Sequence, residues 1–352
     1  MTQATVREPI DAEPGFDTEA ALRTLYEGTA LSEAEAEGLF GALVAGDLPE
    51  PATAAMLVAL KIRGEATSEL IGAARALRAA AAPFPRPAYP FADTCGTGGD
   101  GSGSINVSTA VAFVVAAAGL PVVKHGNRSV TSRCGSADVL EALGARIDVP
   151  AAVSRRSLDE AGICFLFAPA FHPGLRHAGP VRRMLKVRTV MNMLGPCVNP
   201  AAPPIQLLGV ADPKLLEPVA ATLAALGTER ALVVHGAGLD EVALHAETDA
   251  VRVVGGDIER MTIRPEDAGL ARQPLAALRG GDAAENAARL AALLRGEAPG
   301  AEADMVALNA GALLWTAGLA ENLAAGVATA AAVIASGDAH RRLASFVAAT
   351  NA

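Results

Sequence analysis

The sequence predicts an α/β protein in two parts. One is a small all-helical domain; the other is a larger domain in which a central, mostly parallel sheet is covered by helices. Three observations predict this. Helical periodicity runs from 18 to 82, a proline-rich break occupies 82–90, and beyond it short apolar runs alternate with helical segments. The length of 352 residues allows more than one domain, since single domains usually run to about 100–200 residues. Hydrophobic residues make up 51% but aromatics only 3%, so the core must be built from Ala, Val, Leu and Ile. Such side chains suit helices and buried parallel strands.

Residues 1–17 are acidic and contain prolines, and they read as a disordered lead-in rather than a signal peptide. Ser32 and Glu35 have capping-box spacing before a helix through Leu43, with Gly46 past its end. Helical pattern continues over 51–62 and 68–82 until four prolines between 82 and 90 stop it. Strand signals follow at 91–94, 121–124, 145–149, 163–167, 205–210 and 230–235. Helices are expected from Ser108, from Ser136, near 153–161 and over 213–226. Residues 241–263 read as antiparallel strands turning at Gly255, Gly256 and Asp257, and 281–350 as Ala-rich helix. Segment 172–196 interrupts the alternation. It is basic, with a helix start at Pro180, and is expected to pack on the N-terminal helices. The small domain would then comprise 18–88 with about 172–196, and the α/β domain 89–171 with about 197–352.

The net charge of −9 repels nucleic acid and anionic membranes, so an anionic ligand would need a local pocket of donors or a metal. The apolar run 111–123 is too short to span a bilayer and is broken by Gly119 and Pro121. Cys95, Cys134, Cys164 and Cys197 form no CxxC pair, which suits thiols in a reducing cytoplasm. Zinc spacings and GxSxG are also missing from the sequence.

Four motifs carry chemistry. Between Asp93 and Thr109 five glycines lie between a strand and a helix; glycine lets backbone N–H groups approach an anion, and the helix start adds its dipole. Asn106, Ser108 and Thr109 add side-chain oxygens and donors there. A flexible turn with an N-cap is the plainer alternative. Lys124 to Asp138 leaves the next strand end with Lys124, Arg128, Arg133 and several hydroxyls, where open α/β sheets gather ligands. In the basic insertion, Arg176, Arg182, Arg183, Lys186 and Arg188 accompany His172 and His177. They fit either a solvated helix face or an arginine fork for a planar carboxylate. Asp240 and Glu241 follow a buried strand at a turn; they could solvate that turn or meet Mg²⁺, which takes oxygen ligands and bridges phosphates.

In order and spacing, these segments resemble the anthranilate phosphoribosyltransferase family. The resemblance rests on Gly96-Thr97-Gly98-Gly99-Asp100, Ser104 to Thr109, Lys124-His125-Gly126-Asn127, Val181-Arg182-Arg183, Asn192 to Pro196 and Gly238 to Glu241. It runs from about residue 20 to the C-terminus. It implies a nucleoside-phosphorylase-like fold with a cleft between the two domains and a homodimer formed through the helical domain; the cytoplasmic location rests on the cysteine pattern. It implies that phosphoribosyl pyrophosphate (PRPP) meets Gly96, Gly99, Asp100, Ser104, Asn106, Ser108, Thr109, Lys124, Asn127, Ser132 and Ser136. Anthranilate would lie near Gly96, Asn127 and Arg182. Mg²⁺, as two ions, would sit on Ser108, Asp240 and Glu241. The implied reaction joins the anthranilate amine to the phosphoribosyl carbon with loss of pyrophosphate. Pyrimidine nucleoside phosphorylases and nucleic-acid-binding relatives resemble this fold too. The Lys124–Asn127 segment and the Val181–Arg183 insertion favour the transferase over the first, and the negative charge with the intact acidic pair disfavours the second.

Overall fold

The computed structural model describes residues 16–129 and 133–352. A small helical domain opens the chain with α1 (Thr18–Tyr26), α2 (Glu33–Ala45), α3 (Glu50–Arg63) and α4 (Thr67–Ala79). Asp17 caps α1 by accepting from the Ala20 N–H at 2.9 Å. The Ser32–Glu35 capping box is present at the start of α2, and Gly46 closes that helix at φ 88°. Most of the expected lead-in lies outside the described residues.

The larger domain alternates strand and helix: β1 (Ala92–Gly96), α5 (Val107–Ala117), β2 (Val122–Gly126), α6 (Ser136–Ala142), α7 (Ala151–Ala161) and β3 (Ile163–Phe167). The short helices α8 (Ala168–Phe171), α9 (Gly179–Leu185) and α10 (Val190–Leu194) follow, then β4 (Ile205–Gly209), α11 (Leu216–Ala225), β5 (Arg230–His235), β6 (Thr248–Val254) and β7 (Asp257–Ile263). Four helices complete the chain: α12 (Ala283–Leu294), α13 (Ala301–Thr316), α14 (Leu323–Ser336) and α15 (Asp338–Asn351). Among the described residues the sheet has the order β3-β2-β1-β4-β5-β6-β7. Strands β3 to β5 in that order are parallel, and β6 and β7 extend the sheet antiparallel. The β6–β7 turn is Gly255-Gly256, with φ 59° and 96°, the left-handed pair that a two-residue hairpin needs.

The parallel strands are apolar almost throughout because both faces are covered. One face packs on α5 and the C-terminal helices, with Phe113 edge-on to Phe346 at 5.7 Å. The other face packs on α11, and its core is continuous with that of the helical domain. The segment after β3 returns to that domain: α9 packs on α3, and α10 packs on α3 and α4. Arg78 of α4 donates to the carbonyls of Cys197 and Leu226 at 2.9 and 3.3 Å, bridging the two domains.

One expected strand is corrected. Residues 145–149 bury Ala145, Ile147 and Val149 in strand-like alternation but form no strand. Their backbone is served by α15 instead. The Arg146 N–H donates to Thr350 Oγ1 at 3.3 Å, and Asn351 Nδ2 donates to the Gly144 carbonyl at 2.8 Å. Among the described residues, no single helix is long and apolar enough to cross a membrane.

Candidate active site

Three neighbouring parallel strands end at a glycine or just before one at the same edge of the sheet. β1 ends at Gly96, β4 at Gly209, and Gly236 follows β5. Each is required by the close approach of one segment, Asp240-Glu241. A Cβ at Gly96 would overlap the Asp240 carboxylate, one at Gly209 the Asp240 carbonyl, and one at Gly236 the Glu241 carbonyl. The chain reaches this position by a tight turn. Gly236 and Leu239 exchange backbone hydrogen bonds, and Ala237 and Gly238 take φ 50° and 100°. His235 holds the turn, accepting from the Gly238 N–H at 3.2 Å while its Nδ1 lies 2.9 Å from the Val210 carbonyl. Beyond the turn, buried Asn309 of α13 accepts from the Val242 N–H at 2.8 Å and donates to its carbonyl at 2.9 Å. The two acidic side chains therefore lie over the carboxyl ends of the strands, where open α/β sheets place ligands.

The charge at this edge is poorly neutralised. Burial, then the charge of Asp100, pushes the Asp240 carboxyl up to about 7. Asp100 lies close enough to disfavour the charged form of Asp240, while the Gly98 N–H favours it. Glu241 is raised well above the usual carboxylate range, by burial first and by Asp240 second, with Lys124 opposing. Lys124 is buried and donates to the Thr94 carbonyl at 2.6 Å and to Ser108 Oγ at 3.1 Å. Carboxylates that a lysine only partly compensates suit a divalent cation. Among the described residues no three His, Cys, Asp or Glu side chains form a ready metal cage. Mg²⁺ does not need one, since it commonly takes one or two carboxylates with phosphate oxygens and waters. The donor set of Asp240, Glu241 and the remaining lone pair of Ser108 fits that requirement.

The glycine-rich segment lies against this edge. Gly98, Gly99, Gly101 and Gly103 all adopt φ between 61° and 74°, which only glycine takes without strain. The Gly98 N–H donates to Asp240 Oδ2 at 2.7 Å. Among the described residues, the N–H groups of Gly99, Asp100 and Gly101 have no acceptor. Ser104 continues the loop, pairing with Arg279 in an isolated bridge. Asn106 stands at the α5 N-terminus without capping it; its amide instead accepts from Asn286 Nδ2 at 2.9 Å and donates to the Cys134 carbonyl at 3.3 Å. The Ser108 backbone faces Glu241 and opposes the rise of its carboxyl. The Thr109 hydroxyl is buried without a partner beside Phe113 and Leu140, so at the cleft Thr109 offers only its N–H.

In the second loop, the Asn127 carbonyl accepts from Ser136 Oγ at 3.3 Å and from the Ala137 N–H at 3.2 Å, which brings Asn127 and Ser136 together. Arg128 does not serve as a cleft donor. It pairs with Asp138 and Glu141 and lies over the Phe167 ring. Ser132 lies outside the described residues. In the insertion, Arg182 is half-buried; burial alone pulls its pKa down, and it has no hydrogen-bonding or ionic partner among the described residues. Arg188 reaches across to the Gly98 carbonyl at 2.5 Å. Two residues that position the site, Asn286 and Asn309, were not expected. Each is an asparagine in an Ala-rich helix pattern, and its buried position is the only signal: a lone amide on an apolar face needs a partner. His125 and His172 stack edge to face at 5.1 Å, and burial pushes His125 down to about 3, so both rings are neutral packing groups.

Comparison with known proteins agrees with this geometry. Residues 88–340 match the α/β domain of the glycosyl transferase family, and residues 19–81 match its helical bundle domain. Anthranilate phosphoribosyltransferase of Sorangium cellulosum is 60% identical over 329 residues, covering 94% of each chain. That of Serratia proteamaculans is 51% identical over 327 residues, covering 93% of this chain and 98% of its own. The crystal structure of the Thermus thermophilus enzyme superimposes with a TM-score of 0.90 at 47% identity, covering 94% of this chain and 99% of that one. The Saccharomyces cerevisiae enzyme, solved in complex with PRPP and Mg, gives 0.87 at 25% identity, covering 95% and 98%. On both the family match and the relatives, the chain belongs to the anthranilate phosphoribosyltransferases of the glycosyl transferase family.

Proposed function

We propose that the protein transfers the phosphoribosyl group of PRPP to the amine of anthranilate, giving N-(5-phosphoribosyl)anthranilate and pyrophosphate, the second step of tryptophan synthesis from chorismate. One observation carries this reading. Unused N–H donors of the glycine loop stand beside two carboxyls whose ionisation burial and mutual repulsion oppose, at the carboxyl ends of a parallel sheet. That arrangement suits a polyanion bound with a divalent cation.

In this reading the PRPP phosphates lie on the Gly96–Asp100 and Ser104–Thr109 segments, with Lys124, Asn127, Ser132 and Ser136 completing the cradle. Two Mg²⁺ ions, held by Ser108, Asp240 and Glu241, would supply charge neutralisation for the departing pyrophosphate. The loop N–H groups stabilise the same leaving anion, a role typically worth a few kcal/mol per donor. Arg182 takes the anthranilate carboxylate and, with Gly96 and Asn127, aims the amine at C1 of the ribose. The aromatic amine is already uncharged at neutral pH, so positioning matters more than a strong base. The C1–oxygen bond to pyrophosphate breaks, the amine nitrogen bonds to C1, and the amine releases one proton.

We also propose a homodimer built through the helical domain. Ile62 on α3 and Met184 on α9 are 80% and 66% exposed on helices that pack together, and Val187, just after α9, is also exposed. Cytoplasmic residence belongs to this reading and suits the thiol form of the cysteines. The function is tested by following anthranilate fluorescence with purified protein. Loss of fluorescence that needs both PRPP and Mg²⁺ is expected. No loss with both present would overturn the reading.

A further inference from the structure

Gly98 is gripped from two sides. Its N–H donates to Asp240 Oδ2 at 2.7 Å, and its carbonyl accepts from Arg188 Nη1 at 2.5 Å. The first partner belongs to the turn after β5, and the second to the segment linking α9 to α10. The guanidinium packs directly on the loop, because a Cβ at Gly99 would overlap Arg188 Nη1.

A planar trans peptide points its C=O and the following N–H in opposite directions. With the Gly98 carbonyl turned to Arg188, the Gly99 N–H is aimed away from the insertion. It is the first of the loop donors that have no acceptor among the described residues. Glycine on both sides leaves this peptide plane rotationally free unless something outside the loop fixes it. Arg188 is well placed to do so because its own backbone is held. Lys186 reverses the chain in the left-handed region at φ 53°, and buried Thr189 donates its N–H to Asn192 Oδ1 at 3.1 Å as the N-cap of α10.

We propose that Arg188 is a positioning residue for PRPP. It sets the Gly98–Gly99 peptide so that the loop N–H groups face the pyrophosphate, and it ties the loop to the insertion that carries Arg182. The inference rests on the reading of the glycine loop as a PRPP cradle. It assigns Arg188 no contact with the ligand. Its action runs through the peptide plane, so its loss should disorder the loop before any substrate arrives.

The test compares the wild type with Arg188→Ala and Arg188→Lys. PRPP binding in the presence of Mg²⁺ is measured by calorimetry, and amide hydrogen exchange over 94–105 is measured without ligand. Removing a charge-assisted hydrogen bond should weaken PRPP binding by about tenfold to a hundredfold in Arg188→Ala. Exchange in the loop should quicken, the KM for PRPP should rise more than kcat falls, and Tm should hold. Arg188→Lys keeps one cationic donor and should recover most of the loss. Unchanged loop exchange with weakened PRPP binding would overturn the positioning role, because the guanidinium would then act on the ligand itself. Equal affinity and equal exchange in wild type and Arg188→Ala would also overturn it. If Arg188→Ala fails to fold, Arg188→Lys decides alone, and loop exchange and PRPP affinity near wild-type values are then required. A wild type that binds no PRPP would overturn the functional reading instead, while loop exchange would still decide whether Arg188 holds the peptide.

Discussion

Replacing Arg182 by alanine should separate function from stability. In the ligand-free protein its guanidinium is half-buried, burial lowers its pKa, and no acceptor among the described residues compensates it. Such a charge costs stability and persists when a ligand uses it. A hydrogen bond to a charged group contributes about 1.5–3 kcal/mol, so loss of the anthranilate carboxylate contact should raise the anthranilate KM by roughly tenfold to 150-fold. The PRPP KM should move by less than about threefold, taking additivity for a site that shares no partner with the loop. Tm should stay level or rise, because an uncompensated buried charge has gone. Arg182→Lys should restore little, since an ammonium lacks the planar fork. Steady-state kinetics with each substrate varied in turn, alongside thermal unfolding without ligand, reads all three quantities. Equal rises in both KM values would remove Arg182 from the anthranilate site. A Tm loss of several degrees would show that it is a structural partner.

Three further outcomes are expected. Gly99→Ala places a Cβ on a backbone at φ 71° and against Arg188; the left-handed conformation alone costs about 1–2 kcal/mol, so PRPP affinity should fall tenfold or more by calorimetry with circular dichroism unchanged. The raised carboxyl of Asp240, at about 7, means that the ligand-free fold holds an extra proton above the ordinary carboxylate range. Its contribution to stability is present at low pH and lost as pH rises through about 7, so Tm should decline across that window. Mg²⁺ with PRPP should expel protons on binding at pH ~6–7, seen as a buffer-dependent binding enthalpy. Lys186 occupies the left-handed C-cap of α9 at φ 53°, so Lys186→Gly should raise stability by up to ~1 kcal/mol in denaturant unfolding without changing either KM.

Local features of the fold were legible because local rules produce them. The Ser32–Glu35 box, Gly46, the proline break, the strand–helix alternation and the Gly255-Gly256 turn each depend on a few adjacent residues. The run 145–149 misled because alternating burial is shared by a strand and by a loop packed beneath a helix; only the partners Thr350 and Asn351 distinguish them. At the site, sequence indicates which segments matter but not what their residues touch. Arg128 reads as a phosphate donor and is used against Asp138 and Glu141. Nothing local marks Gly209, inside the expected strand 205–210, or Gly236; the reason for both is the passage of Asp240 and Glu241. The links from Arg188 to Gly98, Asn286 to Asn106 and Asn309 to Val242 span 90, 180 and 67 residues, and no short-range pattern encodes them.

The central claim is that Asp240 and Glu241 hold Mg²⁺ against PRPP over the ends of β1, β4 and β5. The most direct measurement is turnover and PRPP binding as Mg²⁺ is varied, in the wild type and in Asp240→Asn combined with Glu241→Gln. The neutral pair should abolish Mg²⁺-dependent turnover, with partial rescue at high Mg²⁺, and should leave ligand-free Tm at neutral pH undiminished because two raised, repelling carboxyls have been removed. A double variant that keeps the wild-type Mg²⁺ dependence would contradict the claim: these carboxylates would then be structural, and the metal would be held elsewhere.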